Sequence, residues 1–142
     1  EVLKANVINI SELNLEQIEK LDFIIFATST WGSGDLCDDW ELNINKISEM
    51  NLTNKYVSFI GLGDQQIYGS TFCDALMLIY DRIKDQDFKH IGLWPVDEYE
   101  YDESQSVIND RFLGLIIDED NESELSDERI NRWVGQVKEE LI

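Results

Sequence analysis

Basic residues, cysteine and histidine are scarce in this sequence, and each shortage narrows the functions that we expect. The 142 residues include 11 lysines and arginines against 30 aspartates and glutamates, which gives a formal net charge of −19. Such a surface repels nucleic acid and anionic membranes, so we expect neither as a partner. No apolar run approaches the roughly 18 residues of a membrane-spanning helix. The opening Glu-Val-Leu-Lys also lacks the apolar core of a signal peptide.

The few sulfur and imidazole groups argue against metal binding and nucleophilic catalysis. Cys37 and Cys73 are the two cysteines, and no Cys-x-x-Cys motif exists, so a structural zinc site is not expected. Free thiols are typical of a reducing compartment, and we expect a cytoplasmic protein. His90, the single histidine, lies in an apolar segment, and no Gly-x-Ser-x-Gly motif is present. We therefore predict a packed histidine rather than a catalytic base.

The composition is that of one globular domain over residues 1–142, with 43% hydrophobic and 11% aromatic residues. Apolar runs predict strands at 6–10, 23–27, 56–60, 90–94 and 112–117. Helical spacing predicts helices at 14–21, around 40–47, at 70–84 and from a Ser126 cap onward, with loops between them that include the acidic segment 118–124. This alternation predicts an α/β fold with an open parallel sheet and helices on both faces.

Two polar loops that contain glycine follow predicted strands and form the candidate site. The first is Thr28-Ser-Thr-Trp-Gly-Ser-Gly-Asp35 and the second is Gly61-Leu-Gly-Asp-Gln-Gln-Ile-Tyr68. Open α/β sheets bind ligands beyond the carboxyl ends of their strands, where such loops meet. Each loop carries one large aromatic, Trp31 or Tyr68. The pair predicts a site for a flat ring, although both could instead be ordinary aromatics at a sheet edge.

Asp64 could accept a hydrogen bond from a ring N–H, or it could be a turn residue. Three other interpretations of these segments have less support. The second loop lacks the Gly-x-Gly-x-x-Gly spacing of a dinucleotide site, because Gln66 occupies the last position. A phosphate cradle at Thr28–Thr30 is disfavoured, because the next helix starts several residues later. Counting from Asp118, a calcium loop would need Gly at position 123, where Ser123 stands.

Three stretches together resemble the flavodoxin family, in its long-chain form. They are Thr30-Trp-Gly-Ser-Gly-Asp35 with Asp38-Asp-Trp40; Gly61-Leu-Gly-Asp-Gln65 with Tyr68 and Phe72-Cys-Asp-Ala75; and Phe112-Leu-Gly-Leu115 with Ile117-Asp-Glu-Asp-Asn121, Asp127-Glu-Arg-Ile130 and Trp133-Val134. They cover nearly the whole chain. The polar stretch 96–110, which divides the last strand, resembles the insertion that defines long-chain members.

The resemblance implies a non-covalently bound FMN and assigns residues to it. Trp31 and Tyr68 would sandwich the isoalloxazine ring, Thr30 would serve the phosphate end, and the Gly32–Ser33 peptide would face flavin N5. In the family this peptide flips on one-electron reduction, and glycine makes that change cheap. Gly63 and Asp64 would contact the pyrimidine end of the ring. The remaining positions that resemble the family's site are Ser29, Leu62, Thr71, Phe72, Cys73 and Asp120.

The implied function is a low-potential one-electron carrier rather than an enzyme. The resemblance and the acidity imply basic redox partners such as flavodoxin or ferredoxin reductases and ferredoxin-type oxidoreductases, and we expect a monomer. The family's first strand, Ser/Thr-rich phosphate loop and first helix have no counterpart here. We therefore expect unpaired backbone between strands 6–10 and 23–27, in a chain that is incomplete relative to the functional protein. A flavin-free interaction module and the flavin domain of a larger reductase remain alternatives.

Overall fold

The computed structural model describes residues 3–141 and contains two small sheets with six α-helices packed around them. The strands are β1 Phe23–Trp31, β2 Asp35–Leu36, β3 Tyr56–Leu62, β4 Lys89–His90, β5 Trp94–Pro95, β6 Val107–Ile108, β7 Arg111–Phe112 and β8 Leu115–Ile117. The α-helices are α1 Leu15–Glu19, α2 Asp38–Asn43, α3 Asn45–Ser48, α4 Ala75–Tyr80, α5 Glu119–Glu122 and α6 Ser126–Glu140. Short 3-10 helices are Ile10–Glu12, Gly69–Thr71 and Ser123–Leu125.

The larger sheet is built around β3. β1 pairs with β3 in parallel over seven residues, from the Phe23–Tyr56 partners to the Ser29–Leu62 partners. β4 and β8 both pair in parallel with the other edge of β3, β4 at its start and β8 at its end. The predicted parallel α/β sheet is therefore confirmed. One exception is β2, which forms a short antiparallel hairpin with the end of β1.

The last strand of this sheet is split, as the sequence predicts. Between β4 and β8 the chain leaves the sheet and forms the second, antiparallel sheet in the order β5–β7–β6. The interruption is longer than predicted, because Gly92 has φ +74° and ends the extended run after His90. Gly114 returns the chain to β3 at such close range that an added Cβ would lie 1.8 Å from the Phe59 carbonyl oxygen.

The core lies between the larger sheet and the helices on its two faces. Val57 and Phe59 of β3 are fully buried. The helical spacing of apolar residues predicts twelve residues on the inward faces of helices, and ten of them are buried, whereas Ile130 and Leu141 are half-buried. The ten buried residues are Trp40, Ile44, Ile47, Phe72, Leu76, Ile79, Ile83, Trp133, Val134 and Val137. His90 is a packed histidine, as predicted. Its Nε2 lies 2.7 Å from the Leu113 carbonyl oxygen, and burial lowers the pKa of its ring.

The prediction of a strand at 6–10 is wrong. Residues 3–9 form no regular element, and a 3-10 helix begins at Ile10. The Asn9 side chain caps this helix by accepting a hydrogen bond from the Ser11 amide. Val7 is 95% exposed, so its apolar character is not used for packing. A strand needs a neighbouring strand for its hydrogen bonds, and within residues 3–141 this segment pairs with none.

Strand β1 differs from the prediction in length and in cover. It continues through Thr28–Trp31, which we predicted as loop, because Ser29 still pairs with Leu62. On one face Ile24, Phe26 and Thr28 are buried, whereas on the other face Phe23 and Ile25 are half-buried and Ala27 is exposed, so the predicted cover on both faces is incomplete. Within the described residues, the edge of β1 opposite β3 carries no strand over 23–29, in agreement with the expected unpaired backbone.

The helices are shorter than the spacing predicted. α1 begins as predicted behind Asn14, whose side chain accepts from the Glu16 amide. The predicted helix around 40–47 divides at Ile44 into α2 and α3. The helix predicted at 70–84 is reduced to α4, because Cys73 adopts φ +55°, a conformation that no α-helix contains.

Two predictions near the carboxyl terminus are also wrong. The acidic segment 118–124 is not a loop, because Asp118 accepts from the Asn121 amide and so caps α5. Ser126 is the first residue of α6 rather than its cap, and its buried hydroxyl has no hydrogen-bond partner among the described residues. Over residues 3–141, no helix combines the length and the apolar character that crossing a membrane requires.

Candidate functional site

The first candidate loop lies at the carboxyl end of β1 and turns sharply. Thr30 and Trp31 pair with Leu36 and Asp35 across a hairpin, and the turn between them contains Gly32 at φ +51° and Gly34 at φ +96°. These left-handed conformations explain why the turn needs glycine. Trp31 is 51% exposed, and Ser33 in the same turn is also exposed. A large aromatic is thereby presented to solvent rather than to the core.

The second candidate loop follows β3 and is tied to β8. The Gly63 amide donates to the Ile117 carbonyl at 3.1 Å, which continues the sheet by one more bond. A Cβ on Gly63 would lie 2.6 Å from Cys73 Sγ, so no larger residue fits without a shift. The loop ends at Tyr68, which is 41% exposed, and Leu62 at its start is 38% exposed. Both predicted aromatics are therefore exposed at the strand ends.

Asp64 has the turn role that the sequence left open. Its Oδ1 accepts from the Gln66 and Ile67 amides at 3.0 and 2.9 Å and from Asn121 Nδ2 at 2.8 Å. These bonds to the ionised carboxylate, the one from Ile67 above all, lower the pKa of Asp64. An ionised carboxylate is still an acceptor for a ring N–H, so the ligand role stays a prediction beside the structural one.

Thr30 connects the first loop to α4. Its Oγ1 accepts from the Ala75 amide at 3.3 Å, so the hydroxyl predicted for a phosphate end already contacts the protein backbone. Gly34 lies against Thr71 and Asp74, because an added Cβ would be 3.5 Å from Thr71 Cβ and 3.1 Å from Asp74 Cβ. Thr71 is half-buried at this junction. The predicted residues of the first loop and of the α4 segment are therefore adjacent.

Two predicted site residues have side chains that are entirely buried. Phe72 packs against Tyr99, Tyr101 and Phe112 with ring centroids 5.4–5.9 Å apart. The Cys73 thiol is enclosed, and burial raises its pKa well above the ordinary value. Any contact of these two residues with a ligand would therefore involve their backbone, whereas Asp120 on α5 is exposed and Ser29 is half-buried in β1.

Sequence reasoning missed Gln65, Asp118 and Asn121, whose side chains hold the second loop in place through hydrogen bonds. Gln65 donates from its amide N–H and from Nε2 to Asp118 Oδ2, at 3.1 and 2.8 Å. Asn121 Nδ2 bonds both Asp118 and Asp64. The spacing Asp118-x-x-Asn121 is that of a helix cap with its third residue, which was the signal available in the sequence.

An open cavity of about 610 Å³ lies beside these loops. Of the predicted site residues it includes Thr71, and it is otherwise lined by polar and acidic groups of 101–105 together with Ser70, Asp74 and Val107. Neither Trp31 nor Tyr68 lines it, so the aromatics present a surface rather than the walls of a closed pocket. Within residues 3–141, no three His, Cys, Asp or Glu side chains are grouped to hold a metal ion.

Comparison with known proteins gives one consistent family. A family model described as flavodoxin matches residues 1–133. Flavodoxin 2 of Escherichia coli K12 is 37% identical over 135 residues, which are 94% of this chain and 78% of that protein. Flavodoxin of Helicobacter pylori is 37% identical over 134 residues, which are 94% of this chain and 80% of that protein.

The fold agrees with this assignment. A crystal structure of Fusobacterium nucleatum flavodoxin bound to flavin mononucleotide is 33% identical and superimposes with a TM-score of 0.82, over 88% of this chain and 75% of that one. The split last strand and the two exposed aromatics at the sheet edge are consistent with this family. The chain belongs to the flavodoxin family.

Proposed function

We propose that this protein is a one-electron carrier that binds FMN non-covalently at the edge formed by the ends of β1, β3 and β8. The observation that supports this proposal most directly is a similarity to a flavodoxin whose crystal structure contains flavin mononucleotide. The chain is 33% identical to that protein and superimposes on it with a TM-score of 0.82. Two large aromatics exposed beside glycine turns at the corresponding strand ends support it.

The residues present fit the ring of FMN. Trp31 and Tyr68 are 51% and 41% exposed, although residues of this size normally gain most by burial. A flat ligand would cover both. Gly63 packs directly on the buried Cys73 and Phe72, where a Cβ would not fit, and it would contact a ring edge through its backbone. These are the residues that would hold the isoalloxazine.

Two further groups would orient the ring. The Asp64 carboxylate is held ionised by its hydrogen bonds, and it would accept from an N–H at the pyrimidine end. Gly32 is at φ +51°, where a residue without Cβ can rotate its peptide at little steric cost. The carbonyl of the Gly32–Ser33 peptide can therefore turn to accept a hydrogen bond from a ring N–H. Thr30 remains our proposed contact at the phosphate end.

FMN supplies the redox chemistry when bound, and the protein sets its potential. Exposed acids flank the edge, with Asp35 opposite Trp31 in the hairpin and Glu119 and Asp120 on α5. With a net charge of −19, this environment disfavours any further negative charge in the site. We therefore propose a low-potential carrier, which transfers electrons between proteins and is not itself an enzyme.

The same charges suggest the partners. A surface this acidic favours fast association with basic patches, so we propose basic redox proteins such as flavodoxin or ferredoxin reductases and ferredoxin-type oxidoreductases as partners. Both cysteines are free thiols in the structure, which supports a reducing compartment such as the cytoplasm.

Trp31→Ala tests whether the exposed aromatic binds the flavin. We expect FMN affinity, measured by quenching of flavin fluorescence during titration, to fall about tenfold or more, because stacked contact area is lost. Leu42→Ala is the matched control, since Leu42 is 82% exposed on α2 and is not assigned to the site. Equal affinities for Trp31→Ala and wild type would show that Trp31 does not bind the flavin, and no measurable affinity in wild type would favour the flavin-free interaction module.

A further inference from the structure

Gln65 is a buried polar side chain to which the proposed function assigns no role. It is 6% exposed and lies in the loop between Gly63 and Tyr68. Its Nε2 donates to Asp118 Oδ2 at 2.8 Å and to Glu122 Oε1, and its Oε1 accepts from the Glu100 amide at 2.6 Å. One side chain thus joins the loop, α5 and the polar segment that follows β5.

On one side the network leads to the candidate ligand residue. Asp118 is fully buried and bonds Asn121, whose Nδ2 donates to Asp64 Oδ1 at 2.8 Å. Asp64 in turn accepts from the Ile67 amide, which sets the turn before Tyr68. The position of the Asp64 carboxylate therefore depends on the same buried group, Asp118, that Gln65 contacts.

On the other side the network ends on a buried cation. Arg129 is 3% exposed, and its guanidinium lies 3.4 Å from Glu122 and 3.7 Å from Glu98. The same guanidinium lies 4.3 Å from the centre of the Tyr99 ring. Arg129 therefore pairs with the half-buried Glu122 carboxylate that accepts from Gln65, whereas the buried Asp118 carboxylate is held by the amide groups of Gln65 and Asn121.

We propose that Gln65 is a positioning residue that fixes the 63–68 loop, and with it Asp64 and Tyr68, in the geometry needed for the flavin ring. An amide suits this position because it offers donors to two carboxylates and an acceptor to one backbone N–H. A glutamate of the same shape would place a third carboxylate against Asp118 and Glu122. The consequence for the flavin rests on the proposed function; the consequence for the loop does not.

The test compares Gln65→Glu with Gln66→Glu. Both add one negative charge at neighbouring positions of one loop, but Gln66 is exposed. The amide of Ile67 reports on the loop through its bond to Asp64. In protein without FMN, we expect its hydrogen exchange to be at least about tenfold faster in Gln65→Glu, because a buried hydrogen bond becomes a repulsion. In Gln66→Glu it should stay within about twofold of wild type.

The flavin readouts are FMN affinity and the two one-electron midpoint potentials. We expect Gln65→Glu to weaken FMN binding at least about tenfold and to shift the potentials more than Gln66→Glu, whose effect is the added charge alone. Equal effects of the two variants on exchange and binding would overturn the inference. If wild type binds no FMN, the proposed function fails, while the exchange comparison still decides the role of Gln65.

A neutral variant covers the case in which Gln65→Glu does not fold. Gln65→Met keeps the length and the zero charge of the side chain, but it removes the donors to Asp118 and Glu122 and the acceptor for the Glu100 amide. We expect Gln65→Met to fold and to exchange the Ile67 amide at least about threefold faster than wild type. Exchange in Gln65→Met at the wild-type rate would contradict a role based on hydrogen bonding.

Discussion

At the residue scale, Asp64 and Asp74 show how the surroundings of a carboxylate near the site shift its pKa in opposite directions. The Asp64 carboxylate accepts hydrogen bonds from two backbone amides and from the Asn121 side-chain amide, and these bonds lower its pKa. Asp74 is buried beside the open cavity; burial raises its pKa, the Gln105 amide opposes that rise, and the Glu103 carboxylate adds to it. The first acid is stabilised as an anion, whereas the second is not.

Asp74→Asn should stabilise the protein at pH 7. A carboxyl whose pKa is raised by folding contributes stability that is complete below its unfolded pKa, about 3.9, and is lost as the pH rises through the folded value. Asparagine keeps an acceptor for Gln105 and removes the charge. We expect a higher free energy of unfolding in urea at pH 7, and a gain that shrinks toward zero near pH 3.

Asp102→Asn is the control for this prediction. It makes the same change in net charge at an exposed position that lines the same cavity. Its free energy of unfolding should stay within about 0.5 kcal/mol of wild type at both pH values. If Asp74→Asn and Asp102→Asn behave alike, the effect comes from overall charge and not from the burial of Asp74.

The residues of the candidate site were predictable to different degrees. Trp31 and Tyr68 could be chosen because an aromatic in a polar loop with glycine contradicts the usual pattern of burial. Gln65 could not, since its role depends on Asp118 and Glu122, which are more than 50 positions away along the chain. A buried network of this kind has no local signature, so no spacing within the loop could reveal it.

At the scale of elements, the limits of the strands and helices depended on pairing rather than on propensity. Residues 6–10 have strand character but pair with no strand in the described chain. Residues 28–31, of which three are polar, become strand because β3 and β2 pair with them. The helix predicted at 70–84 is broken at Cys73, whose positive φ no sequence rule assigns to cysteine. Tertiary context therefore overrode local preference.

Ser106 connects the polar excursion between the two halves of the split strand to α4. Its buried Oγ donates to the Cys73 carbonyl at 2.6 Å and accepts from the Met77 amide at 3.2 Å. We expect Ser106→Ala to lower the free energy of unfolding by about 1–2 kcal/mol, because two buried backbone groups lose a partner. Urea denaturation monitored by tryptophan fluorescence measures the change.

Ser126→Ala provides the matched comparison, since Ser126 is also buried but its hydroxyl has no partner among the described residues. Removing an unsatisfied hydroxyl from the first turn of α6 should leave stability unchanged or raise it by up to about 1 kcal/mol. Equal losses for the two serines would show that their hydrogen bonds are not what distinguishes them.

At the scale of the whole molecule, the family resemblance predicted more than periodicity did. Alternating strands and helices gave the α/β class, but only the combination of motifs indicated that β4 and β8 are two parts of one strand position beside β3. The apolar runs at 90–94 and 112–117 predict two strands, but a periodicity within one run carries no information on which strand it pairs with, so it could not show that both lie beside β3.

The net charge of −19 belongs to this scale as well, and we expect it to act on association with the proposed basic partners. Electron transfer to a basic reductase should slow about tenfold or more between roughly 10 mM and 500 mM salt, because screening removes the long-range attraction. Stopped-flow mixing measures the rate, and reduction of a small neutral oxidant is the control that should not depend on salt. A rate to the reductase that is independent of salt would exclude steering by the acidic surface.

The central claim is tested most directly by the absorbance spectrum of protein expressed from its full open reading frame, followed by stepwise reduction. We expect the oxidised flavin bands, and then a distinct one-electron-reduced spectrum before full reduction, as required of a carrier that moves single electrons. A protein that is colourless and stays colourless after addition of FMN would contradict the account and favour a flavin-free module on the same fold.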